Sequence, residues 1–182
     1  MTKGMPWGWL IALAVLCFWM LGAYNRVMAL RGALVAAWQQ LDSMIQARQI
    51  AIGTLVDAVE SALLNERPAV DAMVAAQVRV ATAAEVVRRR PTTEDPVAVL
   101  GKAEGDLAAA LARLQSLVEQ HTELRFETVV AAQTKELEEL AIRGRFARQG
   151  FNDAANAYNA AVTQFPTRLL ARAFRFELAG TL

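Results

Sequence analysis

Trp7-Gly-Trp-Leu-Ile-Ala-Leu-Ala-Val-Leu-Cys-Phe-Trp-Met-Leu-Gly-Ala23 is the stretch that decides how this chain is read. It sits inside a longer segment, Gly4 to Asn25, that carries no charged residue. At 1.5 Å of helix per residue, about 20 apolar residues cross the roughly 30 Å hydrocarbon core of a bilayer. Trp7, Trp9, Trp19 and Tyr24 fall near its two ends, where amphipathic rings favour the interface. We therefore expect residues 1–24 to be a single-pass transmembrane anchor, from Trp7 to Ala23, and residues 25–182 to form one domain. A cleaved signal peptide fits less well. Leu21 occupies the place where a small residue precedes the cut. Cys17 follows Leu16 in mid-span, which is not a lipidation site. Lys3 and the amino terminus flank the span on one side, Arg26 and Arg31 on the other. Basic residues therefore do not decide which end faces the cytoplasm.

Beyond the span the charges balance. One of the 19 basic residues is Lys3, and the other 18 match the 18 acidic residues. A nucleic-acid binder needs a basic field, so nucleic acid is not an expected partner. The one dense basic run, Arg88-Arg89-Arg90, reads as a solvated helix end. The single cysteine excludes an intrachain disulfide and a cysteine metal site.

The periodicity is helical throughout. From Val27 one set repeats in sevens through Leu34, Leu41, Arg48, Leu55 and Ala62. Arg31, Trp38, Ile45, Ile52 and Val59 interleave with it, and this alternation is a seam for a partner helix. Asn65-Glu-Arg-Pro68 should end the first helix. A second runs from Pro68 to Arg90, with Val70, Met73, Gln77, Val80, Ala84 and Val87 inward. Pro91-Thr-Thr-Glu-Asp-Pro96 reads as a loop, with Asp95 as N-cap of a third helix. That helix carries Leu100, Ala103, Leu107, Ala110, Leu114 and Leu117 and ends near Gln120 or His121. The fourth has Val130, Leu137, Gly144, Phe151, Tyr158 and Phe165 in sevens, and Phe126, Gln133, Leu140, Ala147, Ala154 and Ala161 between them. Phe126 to Phe165 would span about 60 Å, with Pro166 as its breaker.

These lengths predict an all-α fold: an N-terminal transmembrane helix, then an elongated antiparallel four-helix bundle, then a short C-terminal helical tail. The first and fourth helices form the long pair. Arg31 and Arg48 fall on the inward seam, where an arginine needs a carboxylate partner or a path to solvent. Structural ion pairs that set the register are the favoured reading. Drawn as a helix, Thr167 to Leu178 gathers Arg168, Arg172 and Arg175 in one arc, with Phe174 and Phe176 on other faces. Such a stripe can lie on a membrane surface. The width of the apolar arc favours the other reading, phenylalanines capping the bundle beside solvated arginines.

No residue set identifies chemistry. His121 is the only histidine and sits at a helix end without a nucleophile or a carboxylate constellation. Glu136, Glu138 and Glu139 lack a second glutamate-rich helix, so a solvated face is expected rather than a di-metal site. There is no phosphate loop or zinc spacing. No catalytic residue, metal or cofactor is expected.

Several pieces together resemble the LemA family of bacterial membrane-anchored helical proteins. Tyr24-Asn25 is followed by Leu30-Arg31, Ala37-Trp38, Asp42, Arg48 and Leu55-Val56. Phe151-Asn152, Ala155, Tyr158-Asn159, Val162 and Phe165-Pro166 form a second group, and Ala171, Phe174 and Phe176 a third. Two family features differ here. Ile50 to Val56 keeps only the final Leu-Val of an Asp-Leu-Ile-Pro-Asn-Leu-Val run, and His121-Thr122 replaces Tyr-Pro. The resemblance implies fold and location: a helical body on the cytoplasmic side of the cell membrane. It implies no reaction. The expected role is a structural or protein/membrane interaction module without catalytic activity of its own. Its partners would be the lipid bilayer, an unidentified membrane or soluble protein, or a second copy of the chain. The alternative is an accessory subunit of a membrane-associated enzyme, or such an enzyme itself, with an unrecognised site.

Overall fold

The computed structural model describes residues 7–165, 167–174 and 176–182 and, of residues 170, 172 and 173, the backbone only. Lys3, Pro166, Arg175 and the Arg172 side chain, all singled out above, lie outside the described residues. Six helices follow one another: α1 Trp7–Val59, α2 Arg67–Arg89, α3 Glu94–Gln120, α4 Thr122–Arg125, α5 Thr128–Thr163 and α6 Thr167–Phe174. No strand occurs among the described residues.

α1 is one continuous helix of 53 residues, about 80 Å long. It passes through Tyr24 without a break, so the apolar stretch and the packing seam form a single rod. Gly53 does not interrupt it, although glycine lowers helix stability by about 1 kcal/mol relative to alanine. After Val59 the chain turns through Ala62 and Leu63, whose amides both donate to the Val59 carbonyl. Leu63 is fully buried there. Pro68 then lies in the first turn of α2, where its missing N–H costs nothing.

α1 packs most extensively on α5, and α2 on α3. The α1–α5 pair is antiparallel. Leu55 shares a cleft with Val130, Leu41 and Ile45 share one with Leu140 and Gly144, and Trp38 meets Phe151. Rising numbers on one helix thus meet falling numbers on the other. Val27, Leu34, Trp38, Leu41, Ile45, Ile52, Leu55 and Val59 are buried on α1. Val130, Leu137, Leu140, Ala147, Phe151, Tyr158 and Ala161 are buried on α5. The α2–α3 hairpin adds Val70, Met73, Val80, Val87, Leu100, Leu107 and Leu114 to the same continuous core.

Four expectations are corrected. Arg31 is exposed, and Ala62 lies past the end of α1; Arg31 lines an open cleft, so its guanidinium has a path to water. α3 begins at Glu94 with Thr93 as its N-cap, not Asp95. Glu94 and Asp95 both lie in its first turn, where carboxylates complement the helix dipole. The expected 40-residue fourth helix is the 36-residue α5 preceded by the one-turn α4. Leu124 docks in the core at 3% exposure and Glu127 is extended, so Phe126 turns outward at 77%. Phe165, past the end of α5, is also exposed. Finally, the tail is helical only to Phe174, and residues 176–182 run as irregular backbone against α5.

At mid-seam the Trp38 and Phe151 ring centroids are 5.8 Å apart in an edge-to-face arrangement. Their exposures are 2% and 0%. Trp38→Ala or Phe151→Ala should cost about 3–5 kcal/mol. The double variant should cost less than the two together by about 0.5–1.5 kcal/mol, the aromatic coupling. Denaturant unfolding of the four proteins measures both quantities, and strictly additive losses would exclude the ring–ring contribution.

Candidate interaction site

Two groups of polar side chains that tie separate elements together bear on the site. The first is a clamp on the carboxy-terminal segment. Asn159 Nδ2 donates to the Ala179 carbonyl and Asn159 Oδ1 accepts from the Ala179 amide, both at 2.8 Å. Asn152 does the same to Leu182, at 2.7 and 2.8 Å. Each asparagine thus replaces a missing strand partner for one tail residue. The spacing explains the fit. Seven residues of helix rise about 10.5 Å, and three extended residues cover about 10 Å. Every second turn of α5 therefore meets every third tail residue. Ala179 and Gly180 are buried by this docking. A Cβ on Gly180 would stand 2.7 Å from the Val97 Cβ and 2.9 Å from the Glu94 carbonyl oxygen, so the approach to α3 needs glycine.

The clamp holds an aromatic group against the foot of α1. The Tyr24 ring lies 5.4 Å from Phe174 and 6.3 Å from Phe176, and the two phenylalanines are 6.2 Å apart. Phe174 is 57% exposed and Phe176 is half-buried. Just before this level, the apolar stretch is uncovered by the rest of the chain. Trp7, Trp9 and Trp19 are 67%, 79% and 39% exposed, and Ala23 is half-buried. Arg168 on α6 is exposed.

The second place is the polar junction between α1 and the α2–α3 hairpin. Arg48 pairs with Glu104 of α3. Asp42, 8% exposed, accepts from Arg88 Nη2 at 2.8 Å and Nε at 3.1 Å and from Gln46 at 2.8 Å. Gln49 and Gln77 donate to each other's backbone carbonyls at 3.4 and 3.0 Å. Among the described residues Arg31 makes no ion pair. The Asp42–Arg88 pair is one that sequence reasoning missed. Asp42 sits one position off the seven-residue pattern, and Arg88 belongs to a run that reads as solvated. The Asp42 hydrogen bond holds the Arg88 guanidinium above its ordinary pKa, so it stays charged.

His121 lies between Glu123, 3.2 Å from its Nδ1, and Glu66, 3.8 Å from its Nε2. Glu123 is held below the usual carboxylate range, first by its own backbone amide and then by His121. Glu136 and Glu139 face Arg143 at 3.5 and 3.8 Å on an open surface, where such pairs contribute little. Among the described residues no three His, Cys, Asp or Glu side chains could hold a metal.

Fold and site together define an all-α protein in which an exposed apolar helix leads directly into a packed helical body closed by a clamped tail. The LemA family model matches residues 37–181. The chain belongs to the LemA family, and the match covers the helical body rather than the apolar stretch before it. The chain matches no curated protein.

Asn159→Asp should free the tail, because a second acceptor would then face the Ala179 carbonyl. A loss of about 1–3 kcal/mol and faster proteolysis after Phe174 are expected. Cleavage at the natural rate would show that the clamp does not hold the segment. Tyr158 gives a pH effect. Burial raises its phenol pKa, opposed by Arg31. Its contribution is therefore complete below the unfolded value of about 10 and is lost as pH rises through the folded value. Thermal stability should fall above about pH 10, and the fall should be smaller in Tyr158→Phe.

Proposed function

We propose that this LemA-family chain is a single-pass membrane-anchored structural and interaction protein with no catalytic activity of its own. The observation that carries the reading is the apolar stretch of α1. An 18-residue window there has mean hydropathy 1.8 and none of it is buried by the rest of the chain. An apolar surface of that extent in water is unstable without a covering, and its length suits a bilayer. Because α1 continues unbroken into the seam, the helical body would stand on the membrane as a rigid post. Its interior is filled by side chains, which supports binding through outer surfaces rather than chemistry in an internal pocket. The resemblance favours the cytoplasmic side. Partners would be the bilayer itself, membrane or soluble proteins, and further copies of the chain.

Alkaline carbonate extraction of native membranes, followed by intact mass measurement, tests the anchor. The full chain should stay in the pellet. Release into the supernatant, or a mature form starting near Tyr24, would overturn the reading.

A further inference from the structure

A cationic cleft opens at the foot of the helical body, beside the aromatic group. It is lined by Arg31 of α1, by Arg89 and Arg90 at the end of α2, and by Tyr158, Phe174 and Glu177. Its volume is about 330 Å³. Arg31, Arg89 and Arg90 are all exposed. Among the described residues neither Arg31 nor Arg90 has an ion-pair partner, while Arg89 contacts Glu85 at 3.2 Å. Three guanidinium groups thus meet one carboxylate of the cleft lining. The Arg90 backbone is fixed at the end of α2 by its amide, which donates to the Val86 and Val87 carbonyls at 3.2 and 3.0 Å. Tyr158, 1% exposed, forms part of the cleft lining.

Position adds to charge. Arg31 lies seven residues after Tyr24, about 10 Å along α1. The headgroup layer is about 5–7 Å deep on each side of the hydrocarbon, and arginine extends its charge along a flexible stem. Guanidinium forks suit phosphate oxygens. Phe174, exposed beside Tyr24, gives the cleft an apolar wall on the membrane side.

We propose that this cleft binds the phosphate of an anionic phospholipid headgroup, fixing how the helical body stands on the bilayer. The proposal rests on the anchoring reading above and adds a ligand to it. Two sequence-distant elements, α1 and the end of α2, supply the charge, and the tail clamp holds the wall. Lipid binding there would orient the body as well as tether it.

The full chain, purified in non-ionic detergent, is offered equal amounts of phosphatidylglycerol and phosphatidylcholine, and bound lipid is counted by native mass spectrometry. Phosphatidylglycerol should be retained about fivefold or more over phosphatidylcholine, and Arg31→Gln and Arg90→Gln should each reduce its retention about fivefold. Both positions are exposed, so thermal unfolding should stay unchanged. Arg113→Gln, exposed in the far half of α3, should retain lipid as the natural chain does. Equal retention of the two lipids, or equal losses in Arg113→Gln, would overturn the cleft. Inorganic phosphate should not displace the lipid at equal concentration. Displacement that depends on Arg31 and Arg90 would assign the site to a soluble phosphate instead. Carbonate extraction of the same proteins separates the two readings. A chain that stays in the membrane without a lipid preference loses the cleft alone, and a released chain loses the anchor with it.

Discussion

At the middle of the seam the Trp38 and Phe151 rings meet edge to face, and on either side of that contact the antiparallel helices α1 and α5 are held together by buried aliphatic side chains. This α1–α5 seam sets the length and stiffness of the molecule. α1 runs unbroken for 53 residues, and α5 packs along its buried face from Val27 to Val59. The apolar stretch then becomes the free end of a supported rod.

The α2–α3 hairpin is joined to that rod by two kinds of contact with different consequences. Burial of Met73, Val80, Val87, Leu100 and Leu107 supplies the non-directional driving force. It would tolerate the hairpin sliding along α1. Arg48–Glu104, Asp42–Arg88 and the reciprocal Gln49–Gln77 contacts do not. Each requires one register, because moving a helix by one turn would separate the charges and leave Asp42 buried without its cation. Partly buried ion pairs contribute little net stability once desolvation is counted, so their role here is to select one alignment. That alignment brings Arg89 and Arg90 to the level of Arg31.

The tail illustrates how a short irregular segment is held without a sheet. Residues 176–182 cannot pair with a strand, since none is adjacent, and their amides and carbonyls would be costly to bury unpaired. The two asparagines of α5 supply the missing partners, and Gly180 lets the backbone close against α3. The same docking positions Phe176 and Phe174 next to Tyr24. Drawn as a helix from Thr167 to Leu178, the sequence gathers Arg168, Arg172 and Arg175 in one arc, and that helix was expected to run on past Phe174. Spacing alone could not distinguish a helix wrapped by neighbours from a segment whose backbone is recognised by side chains.

The helical seams, the long pair α1 and α5 apart from their exact ends, the Pro68 and Pro91 boundaries and the apolar stretch were legible in the residues themselves. Each depends on local geometry: 3.6 residues per turn, the missing amide of proline, and the uninterrupted apolar character of Trp7 to Ala23. The resemblance to the LemA family was legible too, since short pieces in a fixed order survive without knowledge of what they touch. The partners of Arg48 and Asp42 were not legible, because Glu104 and Arg88 lie 56 and 46 positions away. Neither charge pattern differs locally from that of a solvated helix face. The roles of Asn152 and Asn159 were hidden for another reason. Their partners are backbone atoms, which every residue has, and only the path of the folded chain decides which backbone arrives. The cleft of Arg31, Arg89 and Arg90 belongs to the same class. Its three charges come from two helices whose register is set by contacts elsewhere, so it exists only once the tertiary structure has formed.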